Sequence, residues 1–574
     1  MREKPVIAVA NRLPVQQGDD GWELSPGGLV TALRPVMATH PGAWVGWDGG
    51  SKGVPQTLPD SGIRLMPIGL SAAQVRDYYR GFSNATLWPL LHDAIEKPRF
   101  ERSWWRAYQD VNLVFAQRAM AALGEQPDAI AWVHDYQLML VPQLLRDRHA
   151  DQPIGFFLHV PWPSPVIYAR LPWREQVLRG LLGADVVGFH TDEYRGNFLR
   201  SCARQLSDSG IEVRGSSVVL PDGRAVATVT APISIDAAQF AASAADPVVK
   251  DDVTGLEEQF NGRTLLLGAD RLDYTKGIIE RLLAVEMLLE RRQDLRTSLA
   301  FLQIAMPSRD DVREYRQLRS TVEQHVGRIN GRFTEPGNDV PVHYLYRGLS
   351  QQQLSAYYAF ADGMLVTPLI DGMNLVCKEY VTVQQAHGGS GVLVLSEFTG
   401  AAVELSQAVL CNPFDVEGLS YRIEHALQLA SQPRRQALGE MAKYVRVHDV
   451  HHWVSSQLAA YYSLADALLV TPLIDGMNLV CKEYVTVQQA REGSGALVLS
   501  EFTGAAVELY QAILCNPFDV EGLSFRIEQA LRMTEPERRS ALAAMADHVR
   551  THDVHDWVSS QLAVITARGR PVSG

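Results

Sequence analysis

LVTPLIDGMNLVCKE, residues 365–379, has the pattern of a strand end, a tight turn and a helix start. Leu365 and Val366 are the apolar end of a buried strand, and Pro368 stops it. Asp371, Gly372 and Met373 form the turn, and Asn374 is placed to cap the apolar helix that follows. Such a turn aims free backbone N–H groups at whatever lies in front of the helix, which suits a phosphate. The stretch then returns letter for letter at 469–483, 104 residues later.

Outward from this stretch, strand-like apolar runs alternate with helical ones almost throughout, the α/β signature. The runs are Val6–Ala10, AWVGW at 43–47, Ile130–Val133, Ile154–Leu158 and Val186–Phe189. A second series follows at 264–268, Phe301–Ala305, His343–Tyr346, Met364–Thr367, Val392–Leu395 and Val409–Asn412. A helix is expected from about Leu29, and another, rich in aromatics, over Arg76–Leu91. Residues 241–253, AASAADPVVKDDV, are small and polar and read as part of a linker. The expected architecture is two Rossmann-like domains facing one another across a cleft, 1–245 and 246–456. After them come a repeat of 353–456 at 457–560 and a tail at 561–574.

The repeat is far longer than a solenoid unit. It begins partway through a helix and holds only half a Rossmann unit, so it reads as a tandem duplication. QQQLSAYY at 351–358 and SSQLAAYY at 455–462 are similar enough to have seeded it. The copies share LSEFTGAAVEL (395–405 and 499–509) and CNPFDVEGLS (411–420 and 515–524), and differ mainly at surface-type positions such as 428–436 against 532–540. Copy one is expected to complete the domain begun at 264, with copy two an appendage whose open strand edges invite pairing.

A length of 574 residues exceeds one core. A net charge of −12 argues against a general nucleic-acid or membrane-surface binder. Five cysteines, without a CxxC or a framework of spacings, suit a reduced, cytoplasmic setting. The N-terminus enters a strand pattern with no signal-peptide core, and no apolar run is long enough to span a membrane.

The candidate chemistry lies at strand ends, where open parallel sheets bind ligands. Arg271 and Lys276 follow a buried strand and precede a helix. Two solvated loop charges would be the ordinary reading, but the helix N-terminus beside them favours a diphosphate clamp. Glu379 could accept hydrogen bonds from a ribose diol or simply favour the helix dipole. Gly27 and Gly28 let backbone approach a phosphate, although their spacing matches no dinucleotide fingerprint. Arg12, Tyr79 and Arg309 would pass on residue type alone as surface charges and a core aromatic. Asp135, His159 and the polar run at 190–192 end buried strands. His448, His451 and His452 lack an accompanying carboxylate set, so no metal site is expected.

Taken in order, these motifs resemble those of the trehalose-6-phosphate synthases, retaining glycosyltransferases of the two-Rossmann (GT-B) type. The resemblance rests on residues 10–14, 27–29, 78–89, 134–136, 155–161, 188–191, 270–277, 307–309 and 371–379, and it spans about 5–460. It implies transfer of glucose from a nucleotide-glucose, UDP-glucose or a relative, to glucose 6-phosphate, without a cofactor. Arg12, Tyr79, Trp88, Asp135 and Arg309 would form the acceptor pocket. Gly27, Gly28, Arg271, Lys276, Asp371, Met373, Asn374, Leu375, Val376 and Glu379 would hold the donor. His159 would lie against the donor sugar, and Arg271, Lys276, Asp135 and His159 would carry the reaction. Two positions depart from the family: Ile370 and Ile474 stand where Arg is usual, and Cys377 and Cys481 where Ala is frequent. Glycerol 3-phosphate as acceptor, or a sugar-phosphate-binding protein inactivated by the duplication, are the alternatives. A homo-oligomer is expected, with domain swapping through the second copy.

Overall fold

The computed structural model describes residues 5–18, 21–25, 28–39, 42–51, 53–58, 63–308, 312–456, 465–475, 477–490 and 493–551. The chain divides into two compact units, one over 4–454 and one from 455 onward.

The first sheet of the larger unit begins with β1 (Val6–Arg12). An antiparallel pair, β2 (Val15–Gly18) and β3 (Gly21–Leu24), stands apart from it. The sheet continues through β4 (Ala43–Trp47), β5 (Arg64–Ile68), β6 (Ile130–His134), β7 (Ile154–Phe157), β8 (Val186–Phe189), β9 (Glu212–Arg214), β10 (Ser217–Val219) and β11 (Ala225–Thr230). Its order is β5-β4-β1-β6-β7-β8-β11-β10-β9. The strands are parallel from β5 to β11, and β10 and β9 add antiparallel at one edge. β1, β4, β6, β7 and β8 are almost entirely buried, as parallel strands covered on both faces must be.

The second sheet is built from β12 (Thr264–Arg271), β13 (Leu299–Met306), β14 (Val342–Leu345), β15 (Gly363–Val366), β16 (Val392–Ser396) and β17 (Val409–Cys411), in the order β14-β13-β12-β15-β16-β17. All neighbours are parallel. Copy one thus supplies β15–β17, half of this sheet, and β15 pairs directly with β12 through Leu266 and Leu267. After the sheet the chain returns toward the first one. Val450 N–H donates to Ile235 O at 3.0 Å, and the buried Trp453 packs on Trp132, Phe157 and His159.

One reading of the sequence needs correction. The 241–253 stretch is no extended linker. It lies mostly in two helices, Ala237–Ser243 and Pro247–Phe260, capped by the side chains of Asp236 and Asp246. Pro247 sits at the first turn, and Val249, Val253, Leu256 and Phe260 form a buried stripe at helical spacing. The charged residues between the buried positions, Lys250, Asp251 and Asp252, are the exposed face. The aromatic stretch near Arg76–Leu91 is helical as expected, but Val75–Leu87 winds as a π-helix, a form usually confined to single turns near functional sites.

The smaller unit holds a parallel three-stranded sheet, β18 (Ala467–Val470), β19 (Ala496–Ser500) and β20 (Ile513–Cys515). Helices Leu479–Ala490, Val520–Arg532 and Glu535–Thr551 accompany it. The copy therefore repeats the half-sheet of copy one, and its core is a small cluster around Val470, Cys481, Tyr484, Leu497 and Leu499. The tail at 561–574 lies outside the described residues.

Candidate functional site

The turn 367–374 is threaded between two other backbones. On one side Leu369 N–H donates to Thr275 O at 2.7 Å. Gly277, at φ +61°, presses on Thr367, whose carbonyl a side chain at 277 would strike. On the other side Gly372 lies against the His159 carbonyl, leaving no room for a Cβ. Asn374, itself at φ 75°, caps helix Leu375–His387: its side-chain oxygen accepts from Cys377 N–H at 3.3 Å. The N–H groups of Leu375 and Val376 open the first turn of that helix, where an anion is favoured.

Lys276 Nζ meets Asp371 Oδ2 at 2.5 Å, with both side chains mostly buried. Asn374 Nδ2 donates to the same oxygen at 3.2 Å. Burial alone would raise the Asp371 carboxyl, but the charge and hydrogen bond of Lys276 outweigh it and hold the group below the usual carboxylate range. Met373, buried, accepts from Ala401 N–H through its carbonyl. Glu379 accepts from Tyr358 OH at 3.0 Å, and burial pushes its carboxyl up to about 7. Arg271 is exposed at the end of β12, its guanidinium 5.9 Å from the centre of the Trp88 ring. Lys276 therefore meets the turn directly, and Arg271 lies at the end of the strand before it, beside Trp88.

The first sheet contributes the opposite group. Arg12, at the end of β1, lies over Trp47 at 4.3 Å and over Tyr79 at 5.5 Å. Asp135 follows β6 at φ 75° and accepts from His159 N–H at 3.2 Å. Gly28 opens helix Gly28–Thr39. Gly27 and Arg309 lie outside the described residues.

Between the groups sit three histidines at the ends of β6, β7 and β8, His134 and His190 buried and His159 partly so. His134 Nδ1 and His159 Nε2 are 3.2 Å apart, and the rings of His159 and His190 are in edge contact. Burial lowers all three, His190 to about 3, with the charge of Lys378 adding to that shift. They are neutral at physiological pH. His159 is partly buried, and its backbone carbonyl lies against Gly372 of the turn.

Several residues in the arrangement were not singled out from sequence. Tyr194 OH donates to Asp371 O at 3.0 Å. His92 packs tilted against Trp88 with ring centres 4.1 Å apart and shares a 2.8 Å hydrogen bond with the Trp88 carbonyl; burial lowers it to about 4. Arg281, fully buried, bonds to Asp270 and Gln303 through one nitrogen, at 2.7 and 2.8 Å, and to Thr367 Oγ1 at 3.0 Å. It also donates to Lys276 O. The signal for Arg281 was present: it stands on the apolar stripe Ile278, Leu282, Val285 of its helix, where an arginine must have buried partners. Tyr194 and His92 carried no such mark.

The sequence model for glycosyltransferase family 20 matches residues 4–459, and then matches again over 454–567. The chain belongs to glycosyltransferase family 20. It is 44% identical over 465 residues to the trehalose-6-phosphate synthase of Mycolicibacterium smegmatis, covering 79% of this chain and 92% of that one. The trehalose-6-phosphate synthase of Mycobacterium ulcerans is 44% identical over 477 residues, with 80% and 94% covered. Among solved structures, trehalose-6-phosphate from E. coli bound with UDP-2-fluoro glucose superposes with a TM-score of 0.71 at 34% identity. That match covers 78% of this chain and 97% of the other. An α,α-trehalose-phosphate synthase (UDP-forming) from Burkholderia xenovorans in complex with glucose-6-phosphate gives 0.71 at 32% identity, covering 78% and 98%. As a family 20 member the chain is a glycosyltransferase, and its paired parallel-sheet halves are the GT-B fold.

Proposed function

We propose that this enzyme moves glucose from a nucleotide-glucose donor, UDP-glucose in the first instance, to glucose 6-phosphate. The anomeric configuration is retained and the product is α,α-trehalose 6-phosphate. The observation that carries the reading is the Lys276–Asp371–Asn374 turn at the N-terminus of helix Leu375–His387. It meets the end of the first sheet at His159 and Tyr194. A sugar donor lying in that turn has its diphosphate against the helix N–H groups and its anomeric carbon toward the first sheet.

In this reading residues 246–456 hold the donor. Asp371 and the backbone at Met373 and Asn374 hold its glucose. Leu375 and Val376 N–H groups, Arg271, Lys276 and the backbone at Gly27 and Gly28 hold the diphosphate, and Glu379 the ribose. Residues 1–245 hold the acceptor. Arg12, Tyr79 and Arg309 bind its phosphate, Asp135 its hydroxyls, and Trp88 completes the pocket. Arg12 already lies over two aromatic faces, which fixes the guanidinium while leaving its edge exposed for an anion.

Retention follows from a front-face substitution. The leaving diphosphate departs on the side from which the acceptor hydroxyl attacks and takes up its proton. Lys276 and Arg271 neutralise the charge as it develops, so positioning and electrostatics supply most of the rate. Lys276 is pre-placed by Asp371 and loses little freedom when the diphosphate arrives. His159, neutral, lines the sugar face and excludes water that would hydrolyse the donor.

The test is nucleotide release by the full chain with UDP-, ADP- or GDP-glucose, and with glucose 6-phosphate or glycerol 3-phosphate as acceptor. Release with glucose 6-phosphate, and a non-reducing α,α-linked product by NMR, is the expected result. Release only with glycerol 3-phosphate would move the acceptor assignment, and no release with any pair would reduce the protein to a binding role. Five buried cysteines without a disulfide are consistent with a reduced cytoplasmic setting. Among the described residues no helix is long and apolar enough to cross a membrane. We also propose that chains self-associate through the edge of the second copy's sheet at β18, where Leu469 is exposed.

A further inference from the structure

A continuous run of buried hydrogen bonds joins the donor helix to the end of the first sheet. Lys378, one turn into helix Leu375–His387 and fully buried, donates from Nζ to Ile233 O at 2.9 Å. Its charge is met by Glu404 Oε2 at 2.6 Å. Ile233 belongs to the stretch after β11 that leaves the first sheet. Its N–H donates to His190 Nδ1 at 3.3 Å, and His190 Nε2 lies 3.2 Å from His159 O. A backbone N–H can only donate, so Nδ1 of His190 must be the accepting nitrogen. The proton of the neutral ring is then on Nε2, which donates to the His159 carbonyl. That carbonyl is the atom against which Gly372 of the donor turn is packed.

We propose that His190 is a positioning residue for glucosyl transfer. As the Nε2–H tautomer it fixes the His159 carbonyl, and through it the distance between His159 and the donor turn at Gly372. The proposal deepens the function given above and rests on that reading for its kinetic part. Both ring nitrogens of His190 are taken up by protein backbone, and they have separable tasks. The Nδ1 bond ties the ring to Ile233 and the Lys378 anchor, while the Nε2 bond sets the reacting edge. Protonation would place a donor on Nδ1, facing the Ile233 N–H, and break the run. Burial and the neighbouring Lys378 charge keep the ring neutral. A reacting edge displaced by a fraction of an ångström lowers turnover without loosening substrate binding in proportion.

The two nitrogens can be replaced one at a time. In His190→Gln the amide nitrogen reaches the Nε2 position and can still donate to His159 O. In His190→Asn the amide oxygen occupies the Nδ1 position and can still accept from Ile233, but nothing reaches His159. The expected result is kcat within about threefold of the parent for His190→Gln and a loss of about tenfold or more for His190→Asn. KM for donor and acceptor should change little, and the thermal midpoints of the two variants should match. Equal losses, or losses that follow the midpoint, would reduce His190 to a structural histidine and overturn the proposal. A second readout needs no turnover: 15N NMR of the histidine rings should show His190 as the Nε2–H tautomer, and an Nδ1–H tautomer would overturn the proposal even in an inactive protein. An inactive parent with the expected tautomer would fault the assigned reaction while leaving the arrangement of His190 standing.

Discussion

The two copies of LVTPLIDGMNLVCKE make the same local structure and live in different surroundings. In the first, Asn374 Nδ2 donates to Asp371 Oδ2 at 3.2 Å; in the second, Asn478 Nδ2 donates to Asp475 Oδ2 at 2.9 Å. Both asparagines sit at positive φ. In each copy the cysteine two residues into the helix bonds back to its asparagine. Each lysine after it pairs with a glutamate, Lys378 with Glu404 and Lys482 with Glu508. Burial then separates them. Leu365 and Ile370 are 0% and 9% exposed, and their equivalents Leu469 and Ile474 are 43% and 87% exposed. The turn's conformation is local, written in Asp, Gly, Asn and the cap. What makes it a site is non-local: β12, the Lys276 loop and the end of the first sheet, none of which is repeated in the sequence.

One difference between the copies bears directly on that separation. A Cβ at Gly363 would lie 2.8 Å from Leu266 Cδ2 of β12 and 3.2 Å from Val392 Cγ1. The second copy has Ala467 at the position of Gly363 and Ala496 at that of Val392. It has gained a methyl on the edge that faces β12 in copy one, and made room for it only within its own sheet. That is the drift expected of a half-sheet under no demand to fit β12.

The comparison is sharpened first by removing what only one copy has. Lys276→Ala should lower kcat/KM by about 100- to 1,000-fold, the scale found when a single preorganised charge-stabilising group is lost. Full activity would mean that the clamp is elsewhere. A second contrast is in stability. Leu365→Ala should cost about 2–5 kcal/mol in the unfolding of the larger unit, because it empties a fully buried position. Leu469→Ala, half exposed, should cost under about 1 kcal/mol. Calorimetry with two resolved transitions would read both, and equal costs would break the comparison.

Acid should separate the units as well. His92, His134, His159 and His190 all lie in the larger unit with folded-state values below the ordinary histidine value, His92 at about 4 and His190 at about 3. A group lowered in the folded state contributes stability that is complete above the unfolded value. That contribution is lost as pH falls toward the folded value, because the unfolded chain then binds more protons. The larger unit should therefore lose up to about 1.4 kcal/mol per pH unit for each such histidine below about pH 6.5. A transition of that unit flat between pH 6.5 and 4.5 would contradict it. The smallest effect expected is on association. Leu469→Lys places a charge on β18 and should shift scattering mass toward monomer with turnover unchanged.

Much of the fold was legible because parallel β strands buried on both faces leave continuous apolar runs, as at 264–268 and 392–395. The antiparallel edge β9–β10 was not, since three-residue strands at a sheet edge carry little pattern. The helix Pro247–Phe260 was hidden by its own exposed face, although Asp246, Pro247 and the Val249–Val253–Leu256–Phe260 stripe announced it. At the site, Arg271, Lys276 and Asp371 could be named because strand ends and helix starts are local features. Tyr194, His92 and the partners of His190 could not, although His190 itself stood out as a polar residue at a strand end. Tyr194 and His190 act through contacts across long stretches of chain, and His92, bonded to Trp88 four residues before it, has nothing in its neighbouring letters to distinguish it from an ordinary buried residue. The π-winding of Val75–Leu87 was likewise invisible, because it changes the hydrogen-bond spacing and leaves the amphipathic pattern intact.

The central claim is that one complete site exists and that copy one supplies its donor half. The direct test is a pair of substitutions in the full chain, Asp371→Ala and Asp475→Ala, assayed for nucleotide release with glucose 6-phosphate. The account predicts a loss of about 100-fold or more for Asp371→Ala and parental turnover for Asp475→Ala. Equal losses, or a loss confined to Asp475→Ala, would contradict it.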